Sequence, residues 1–405
     1  MNGILFVGGV YPKDKTDEIL KKSKSGIQLA ANSLQWKLIE GIESVIGKPI
    51  TILNQMFVGS YPKKHEDWYI PSFEFSHTQG AVDYNIGYLN ITGLKQYITY
   101  PLLKQGFKKL IKQRNDIGTV IFYSVQGSHL RLSRYIKKKY GIKTHMIVPD
   151  LPQYMAMQHT DFIRTYMKKK NCKLLENCLD YIDSFTFLTK YMAEKLKIDR
   201  SRYTVVEGIA DFKNTVSSAD DDGIKRVVYT GTLTAKYGIM DLVEAFMDIK
   251  KENYRLIICG SGETAEKIKA AAKLDERIIF KGNVSPDEAV KIQQAATVLV
   301  NPRKNDEEYT KYSFPSKLME YLLSGMPTVC YKLDGIPDEY DRYFQYVSDN
   351  TKKELSDKIV EVCELSNEER AVLGKTATRF VSEQKNKEVQ CSKIMQLIYN
   401  EGFGK

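Results

Sequence analysis

The chain has 405 residues, 42% of them hydrophobic and 27% charged, with 60 Lys and Arg against 50 Asp and Glu for a net charge of +10. That length exceeds one ordinary core and predicts two domains, and the composition excludes a disordered or low-complexity chain. No apolar run reaches the roughly 20 residues of a membrane-crossing helix. The six cysteines (Cys172, Cys178, Cys259, Cys330, Cys363, Cys391) form no C-x-x-C pair, so reduced thiols and a cytoplasmic setting are expected and a zinc site is not. The charge is uneven. Residues 1–200 carry 30 Lys and Arg against 17 Asp and Glu, whereas residues 201–405 carry 30 against 33. Between Lys104 and Lys139 ten basic residues face a single acid, Asp116. Such a block implies an anionic partner for the first half: a membrane surface, a phosphorylated lipid or a nucleic acid.

In chain order, "GILFVGGV" predicts a buried first strand rather than a signal peptide. A long helix over "SGIQLAANSLQWKLIEGIESVIG" stops at its glycine. "ITILNQMFVG" is strand-like, and "TVIFYSV" and "KTHMIVPDLP" predict strands on either side of a helix over "HLRLSRYIKKKYG". "YIDSFTFLT" and "YTVVEGI" close the first half, and the polar, breaker-rich "DFKNTVSSADDDG" predicts a linker. Strand and helix then alternate again through "IKRVVYTG", "GIMDLVEAFMDIKK", "YRLIICG", "ETAEKIKAAAKL", "RIIFKG", "SPDEAVKIQQAA", "TVLVNP", "SFPSKLMEYLLSG" and "PTVCYKL". A last helix, "NKEVQCSKIMQLIYN", follows. This alternation predicts an α/β chain of two doubly wound parallel-sheet domains, residues 1–212 and 213–383. Their ligands belong at the carboxyl ends of the strands, in a cleft across which the two domains face each other.

The glycine loops come next. Gly26 sits at the mouth of the first long helix, where free N–H groups and the helix dipole favour an anion; a plain strand-to-helix loop is the alternative. In "YTGTLTAKYG", Gly231 ends a strand, Thr232 offers a hydroxyl and Lys236 can reach a phosphate, unless that lysine is merely solvated. "CGSGETA", which contains Gly262, fits the G-x-G-x-x-A dinucleotide fingerprint. It lies on the second strand of its domain rather than the first, which argues against NAD. "ADDDG" has the D-x-D spacing that can hold a divalent ion, but its place in a linker favours a solvated charge run. The histidines (His65, His77, His129, His145, His159) show no ligand spacing.

In "SFPSKLMEYLLSG", Pro315 suits the first helical position and Gly325 the residue past the end. Leu318, Tyr321 and Leu322 mark a core stripe, and Glu320 lies off it, one turn above Ser316. Taken alone, Glu320 reads as an ordinary solvated glutamate. The order of landmarks changes that reading. "VVEGIAD", "YTGTLTAKYGIMDLVEAF", "LIICGSGE", "IIFKGNVSPDEAVKIQQAATVLVNP" and "SFPSKLMEYLLSGMPTVC" resemble, in sequence, the family-four retaining glycosyltransferases of the GT-B fold, of the bacterial surface-polysaccharide type. "SGIQLAANSL", "PDLP" and "FLTKYMAEKL" carry a looser resemblance in the first half.

The resemblance implies two Rossmann-like domains, the first binding the acceptor and the second the nucleotide-sugar, with helix 384–405 packing back on the first. It implies that the helix start at Ser313, Phe314, Pro315, Ser316 and Lys317 turns free N–H groups toward the donor's sugar and diphosphate. Glu320 would accept from both ribose hydroxyls, Thr232 and Lys236 would face the diphosphate, and Gly282, Asn283 and Val284 would lie along the base. Lys236 would neutralise the leaving group, with no metal and no cofactor beyond the donor. Two positions depart from the family pattern. Tyr312 stands where many members carry a second glutamate, and Thr232 where many carry an arginine, so Arg303 or Lys317 is the candidate replacement cation. Pro149–Asp150 occupies the place of a histidine–acid pair, leaving Asp150 to orient the acceptor or sugar. Retention at the anomeric carbon would need no protein nucleophile.

"LKQYITYPLLKQGFKKLIKQR" interleaves Tyr97, Tyr100, Leu103, Phe107, Leu110 and Ile111 with Lys104, Lys108, Lys109, Lys112 and Arg114. It reads either as an interfacial helix, drawn to anionic lipid by about 1 kcal/mol per basic residue, or as a core-packed helix with a solvated lysine face. The expectation is a metal-independent hexosyltransferase at the inner membrane face. It would use a UDP-sugar first and a GDP-sugar second, and act on a lipid-linked or glycan acceptor in cell-surface polysaccharide synthesis. A non-hydrolysing sugar-nucleotide epimerase and a non-catalytic sugar-nucleotide or anionic-polymer binding protein are the alternatives. A nucleic-acid partner would explain the charge but not two nucleotide folds, so none is expected.

Overall fold

The structure, a computed structural model, describes residues 2–25, 27–154, 162–210 and 222–400. Gly26, His159 and linker residues 211–221 therefore lie outside the described residues. The chain divides into two compact units, Met1–Ile209 with Lys387–Lys405, and Ala210–Asn386.

In the first unit the strands are β1 (Gly3–Gly8), β2 (Thr51–Asn54), β3 (Tyr69–Ile70), β4 (Phe73–Phe75), β5 (Asp83–Asn85), β6 (Tyr88–Leu89), β7 (Ile117–Tyr123), β8 (Lys143–Val148), β9 (Ser184–Phe187) and β10 (Tyr203–Val205). Eight of them form one sheet in the order β10-β9-β8-β7-β1-β2-β5-β4. All neighbours in it run parallel except β4, which pairs antiparallel with β5. β3 and β6 make a separate two-stranded ribbon. All six residues of β1 are buried, as a central parallel strand covered on both faces requires. The helices are α1 (Thr16–Lys22), α2 (Leu29–Ile46), α3 (Lys95–Gln113), α4 (Gly127–Tyr140), α5 (Phe162–Glu176) and α6 (Lys190–Leu196). "ITILNQMFVG" is a strand only in its first half, over Thr51–Asn54. Beyond Asn54 the chain follows the end of β1, with the N–H groups of Gln55 and Phe57 donating to the carbonyls of Gly8 and Gly9 at 2.8 and 3.2 Å.

The second unit holds β11 (Lys225–Thr230), β12 (Tyr254–Cys259), β13 (Ile278–Gly282), β14 (Val298–Asn301), β15 (Thr328–Cys330) and β16 (Gln345–Tyr346). They form one parallel sheet in the order β13-β12-β11-β14-β15-β16. Its helices are α7 (Ile239–Asp248), α8 (Ala265–Leu274), α9 (Pro286–Gln294), α10 (Ser316–Leu323), α11 (Lys352–Glu364) and α12 (Asn367–Gln384). α9 starts as its sequence dictates: Ser285 caps the N–H of Glu288 and Pro286 takes the first position. α12 opens with a full Ser366/Glu369 capping box. The last helix, α13 (Lys387–Tyr399), returns to the first unit and lies along α2. There Cys391, Ile394, Met395 and Ile398 join Leu38, Ile39 and Ile42 in one core. Each sheet reverses its strand order once, between β1 and β7 and between β11 and β14. Those reversals are where doubly wound sheets bind ligands.

Candidate functional site

At the reversal in the second unit, the loop after β11 carries Gly231 and exposed Thr232. It lies directly against the loop after β12: Gly231 N–H donates to the Cys259 carbonyl at 3.0 Å and Leu233 N–H to Ser261 at 3.0 Å. The approach leaves no room for side chains. A Cβ on Gly260 would come within 1.8 Å of the Gly231 carbonyl oxygen, and one on Gly262 within 2.2 Å of the Leu233 oxygen. Loop-on-loop packing thus accounts for the two glycines of "CGSGETA". Glu263 closes the loop by accepting from Thr234 Oγ1 at 2.8 Å and Ala235 N–H at 3.1 Å, and these bonds hold its carboxyl below the usual range. Gly238 follows with φ +74°, and a Cβ there would meet the Pro302 oxygen at 2.1 Å, so the β11 and β14 loops also touch backbone to backbone.

The cations converge on two tyrosines. Lys236 Nζ lies 5.4 Å from the Tyr237 ring centroid and 5.0 Å from that of Tyr309. The Arg303 guanidinium lies 5.3 and 4.5 Å from the same two rings. Arg303 is 8% exposed, donates from Nη2 to Ser313 Oγ at 2.8 Å, and keeps a buried Nε with no partner. Two positive charges so close, one with a donor unsatisfied, make a ready anion site. Neither tyrosine was singled out from the sequence. Their spacing within loops carries no periodic signal.

α10 is fixed to the same place. Tyr321 Oη accepts from the Thr230 N–H at 2.9 Å and donates to its carbonyl at 3.2 Å, pinning the helix to the last residue of β11. Exposed Glu320 is the neighbour of that anchor, and its Oε2 pairs with Lys317 at 2.6 Å. The structure therefore gathers Gly231, Lys236, Arg303, Ser313 and Glu320 around the ends of β11 and β14. Two expected residues have other environments. The Phe314 side chain is buried against Tyr340, with ring centroids 5.3 Å apart, so only its backbone is available. Pro315 stands one residue before the helix, at φ −68° and ψ 105°, and has no N–H to donate, leaving Ser316 and Lys317 as the free amides. Gly262 has the packing role described above. Asn283 and Val284 follow Gly282, whose carbonyl accepts from Gly260 N–H at 2.7 Å, so their loop borders the β12 loop.

At the reversal in the first unit lies a cavity of about 290 Å³, lined among others by Gln28, Gln55, Lys95, Ser124, Gln126 and Asp150. Asp150 is open to it, yet the surrounding protein strips enough water to push its carboxyl up to about 6. Burial pulls Lys95 down to about 8, while its Nζ donates to the Val58 carbonyl at 2.8 Å and to Asn90 Oδ1 at 3.2 Å. Ser124 has φ +77°, strained for a residue with a Cβ. His129 Nδ1 donates to the Ser124 carbonyl at 3.1 Å, and burial holds that imidazole neutral, at about 4. An acid and a base with opposed shifts thus line one cavity, which makes it a candidate site. Asp150 was legible as a strand-end acid; Lys95 and Ser124 carried no sequence signal.

Two other described histidines, His145 and His77, tie elements of the first unit together. His145 bonds Ser184 and Thr186 hydroxyls, both at 2.8 Å, and His77 lies between Asp83 and Glu43 at 2.6 and 2.8 Å. Among the described residues no three His, Cys, Asp or Glu side chains are grouped to hold a metal ion, and no helix is long and apolar enough to cross a membrane. Asp222 of "ADDDG" is engaged with Arg226 at 2.9 Å. Of the two readings of α3, the core-packed one describes Leu103, Phe107 and Leu110, which are buried in their own unit, whereas Tyr97 at the start of the helix is exposed. Its cations stay outside, Lys104 over the Tyr135 ring at 4.2 Å and Lys109 paired with Glu74 at 2.7 Å.

Residues 212–380 match the family model described as Glycosyl transferases group 1, which spans nearly the whole second unit. No curated protein matches the sequence. Among solved structures, the apo lipopolysaccharide outer core galactosyltransferase WaaB is 15% identical with a TM-score of 0.63, covering 98% of this chain and 99% of that one. Sucrose-phosphate synthase from Thermosynechococcus elongatus is 16% identical with a TM-score of 0.67, covering 98% of each chain. Anabaena Alr3699/HepE in complex with UDP is 11% identical with a TM-score of 0.64, covering 98% and 100%. At these identities the likeness is one of fold, and the fold is GT-B.

Proposed function

We propose that this chain is a retaining glycosyltransferase that binds a nucleoside-diphosphate sugar, UDP-linked first and GDP-linked second, at the ends of β11 and β14. The observation that carries the reading is the pair of cations, Lys236 and Arg303, stacked on Tyr309 and Tyr237 at the strand-order reversal. Support comes from the family model over the second unit and from a fold neighbour whose structure holds UDP. Ser316 and Lys317 amides and the two cations would hold the diphosphate, and Glu320 would exchange its Lys317 partner for the ribose hydroxyls. As the bond from the anomeric carbon to the diphosphate oxygen breaks, negative charge grows on that oxygen, where fixed cations act most strongly. The acceptor oxygen forms the new bond on the same face, and its proton passes to the departing diphosphate. Asp150, which lines the first unit's cavity together with Lys95, would orient an acceptor hydroxyl of a lipid-linked or free glycan.

The experiment is calorimetric titration of the full chain with UDP, GDP and NAD without added metal. Binding of one nucleoside diphosphate and not NAD is expected; binding of neither would remove the donor reading. Turnover of the corresponding nucleotide-sugar separates an enzyme from a sugar-nucleotide sensor.

A further inference from the structure

The first unit has a second cavity, away from the strand ends. It is a groove of about 430 Å³ lined by Tyr100 of α3 and by Arg131, Arg134, Tyr135, Lys138 and Lys139 of α4. The α4 residues fall at helical spacing on one face, where like charges repel. Among the described residues no carboxylate pairs with any of the four cations, although Lys137 next to them is paired with Asp183 at 2.6 Å. Aromatic faces hold three of them instead: Arg134 and Lys138 lie 5.1 and 5.0 Å from the Tyr181 ring centroid, and Lys139 lies 5.8 Å from that of Tyr140. A π face positions a cation without neutralising it. The groove therefore carries four uncompensated positive charges.

Lys95 of α3 and Gln126, the residue before α4, line the strand-end cavity; Tyr100 and Arg131 of the groove lie five residues further on in each segment, an axial rise of about 7.5 Å at 1.5 Å per residue. From Arg131 to Lys139 the cationic wall continues for about 12 Å. We propose that this α3–α4 groove holds the anionic chain of a glycan acceptor, behind the end that occupies the cavity. This rests on the acceptor reading above, and it names the substrate class: a glycan whose repeat carries phosphate, sulfate or carboxylate. The mixture of cations with a tyrosine face in this shallow groove suits charged sugar rings. A flat lipid surface would call for projecting apolar anchors, and the exposed Trp68, Tyr69 and Tyr97 lie outside this lining.

The test uses the full chain and a heparin-derived sulfated hexasaccharide as probe, titrated without donor at two salt concentrations. The wild type should bind it with a steep salt dependence. The Arg131→Gln/Arg134→Gln/Lys138→Gln/Lys139→Gln variant should bind about 30-fold or more weakly with a flatter salt slope. Tyr100→Ala should lose about fivefold with no change in slope, and Lys108→Gln/Lys112→Gln, on the exposed side of α3, should differ by less than about threefold. Equal affinity of the wild type and the fourfold variant would overturn the proposal. So would an unbound hexasaccharide alongside tight, groove-dependent binding of anionic vesicles or of RNA. UDP affinity is read separately: its absence in the wild type would count against the donor site and leave the groove result standing.

Discussion

Glu320 shows how one side chain gains a role from its neighbours. It is exposed and paired only within its own helix, as countless surface glutamates are, yet Tyr321 beside it is bonded to the end of β11. A charged hydrogen bond to a ligand contributes roughly 1.5–3 kcal/mol. Glu320→Gln should therefore weaken UDP binding by about 10- to 100-fold in calorimetry. Its thermal midpoint should stay within a degree or so, because the site is exposed. Asp150 gives a second prediction. Loss of water raises its carboxyl to about 6, so kcat/KM should climb through that pH as the carboxylate forms, and Asp150→Asn should flatten the rise in a pH–rate profile. The same shift has a sign for stability. A carboxyl whose folded pKa lies above its unfolded one loses stability as pH rises through the window between about 4 and 6. Asp150→Asn should accordingly have the higher melting temperature at pH 7.

At the scale of elements, His77 joins pieces that the sequence leaves unrelated. Its ring lies between Glu43 of α2 at 2.8 Å and Asp83 at the start of β5 at 2.6 Å. Asp83 also accepts the Ile52 N–H of β2 at 2.8 Å, and Glu43 the Ile50 N–H at 2.9 Å. Burial alone would hold the imidazole neutral, but the two carboxylates outweigh it and raise the ring to about 9. The stability this clamp supplies is complete below pH 6.5 and is lost as pH rises through about 9. His77→Gln should cost roughly 3 kcal/mol in urea unfolding at pH 6, and the gap to wild type should close by pH 10. A gap independent of pH would show that packing alone, not the charge, gives the residue its effect.

For the whole molecule, the two units have separate cores, and the C-terminal helix belongs to the first of them. Two calorimetric transitions are expected. UDP at about 100 times its Kd should stabilise one of them by about 2.7 kcal/mol and leave the other in place. A single transition raised as a unit by UDP would mean that the cores do not unfold independently.

The pattern of buried strands and amphipathic helices was written locally, so both doubly wound sheets and the stop of α10 at Gly325 (φ +78°) were legible in the sequence. Gly231 and Lys236 stood out as candidates by their place after a strand, whereas Glu320 did so only through the family resemblance, since its spacing alone marks a solvated helix position. Tyr309, Tyr237, Lys95, Ser124 and His77 were not legible, because none sits in a periodic pattern and the groups around each are assembled only by the fold. α3 was ambiguous for the same reason: amphipathicity states that one side is apolar, not what covers it. By itself the sequence determined the elements and their order, because backbone propensity and hydrophobic period are local. The tertiary structure alone decided which glycines make room for a neighbouring loop, which carboxylates lose their water and which cations remain unpaired, because burial and Coulomb energy depend on distances that the chain acquires only when it folds.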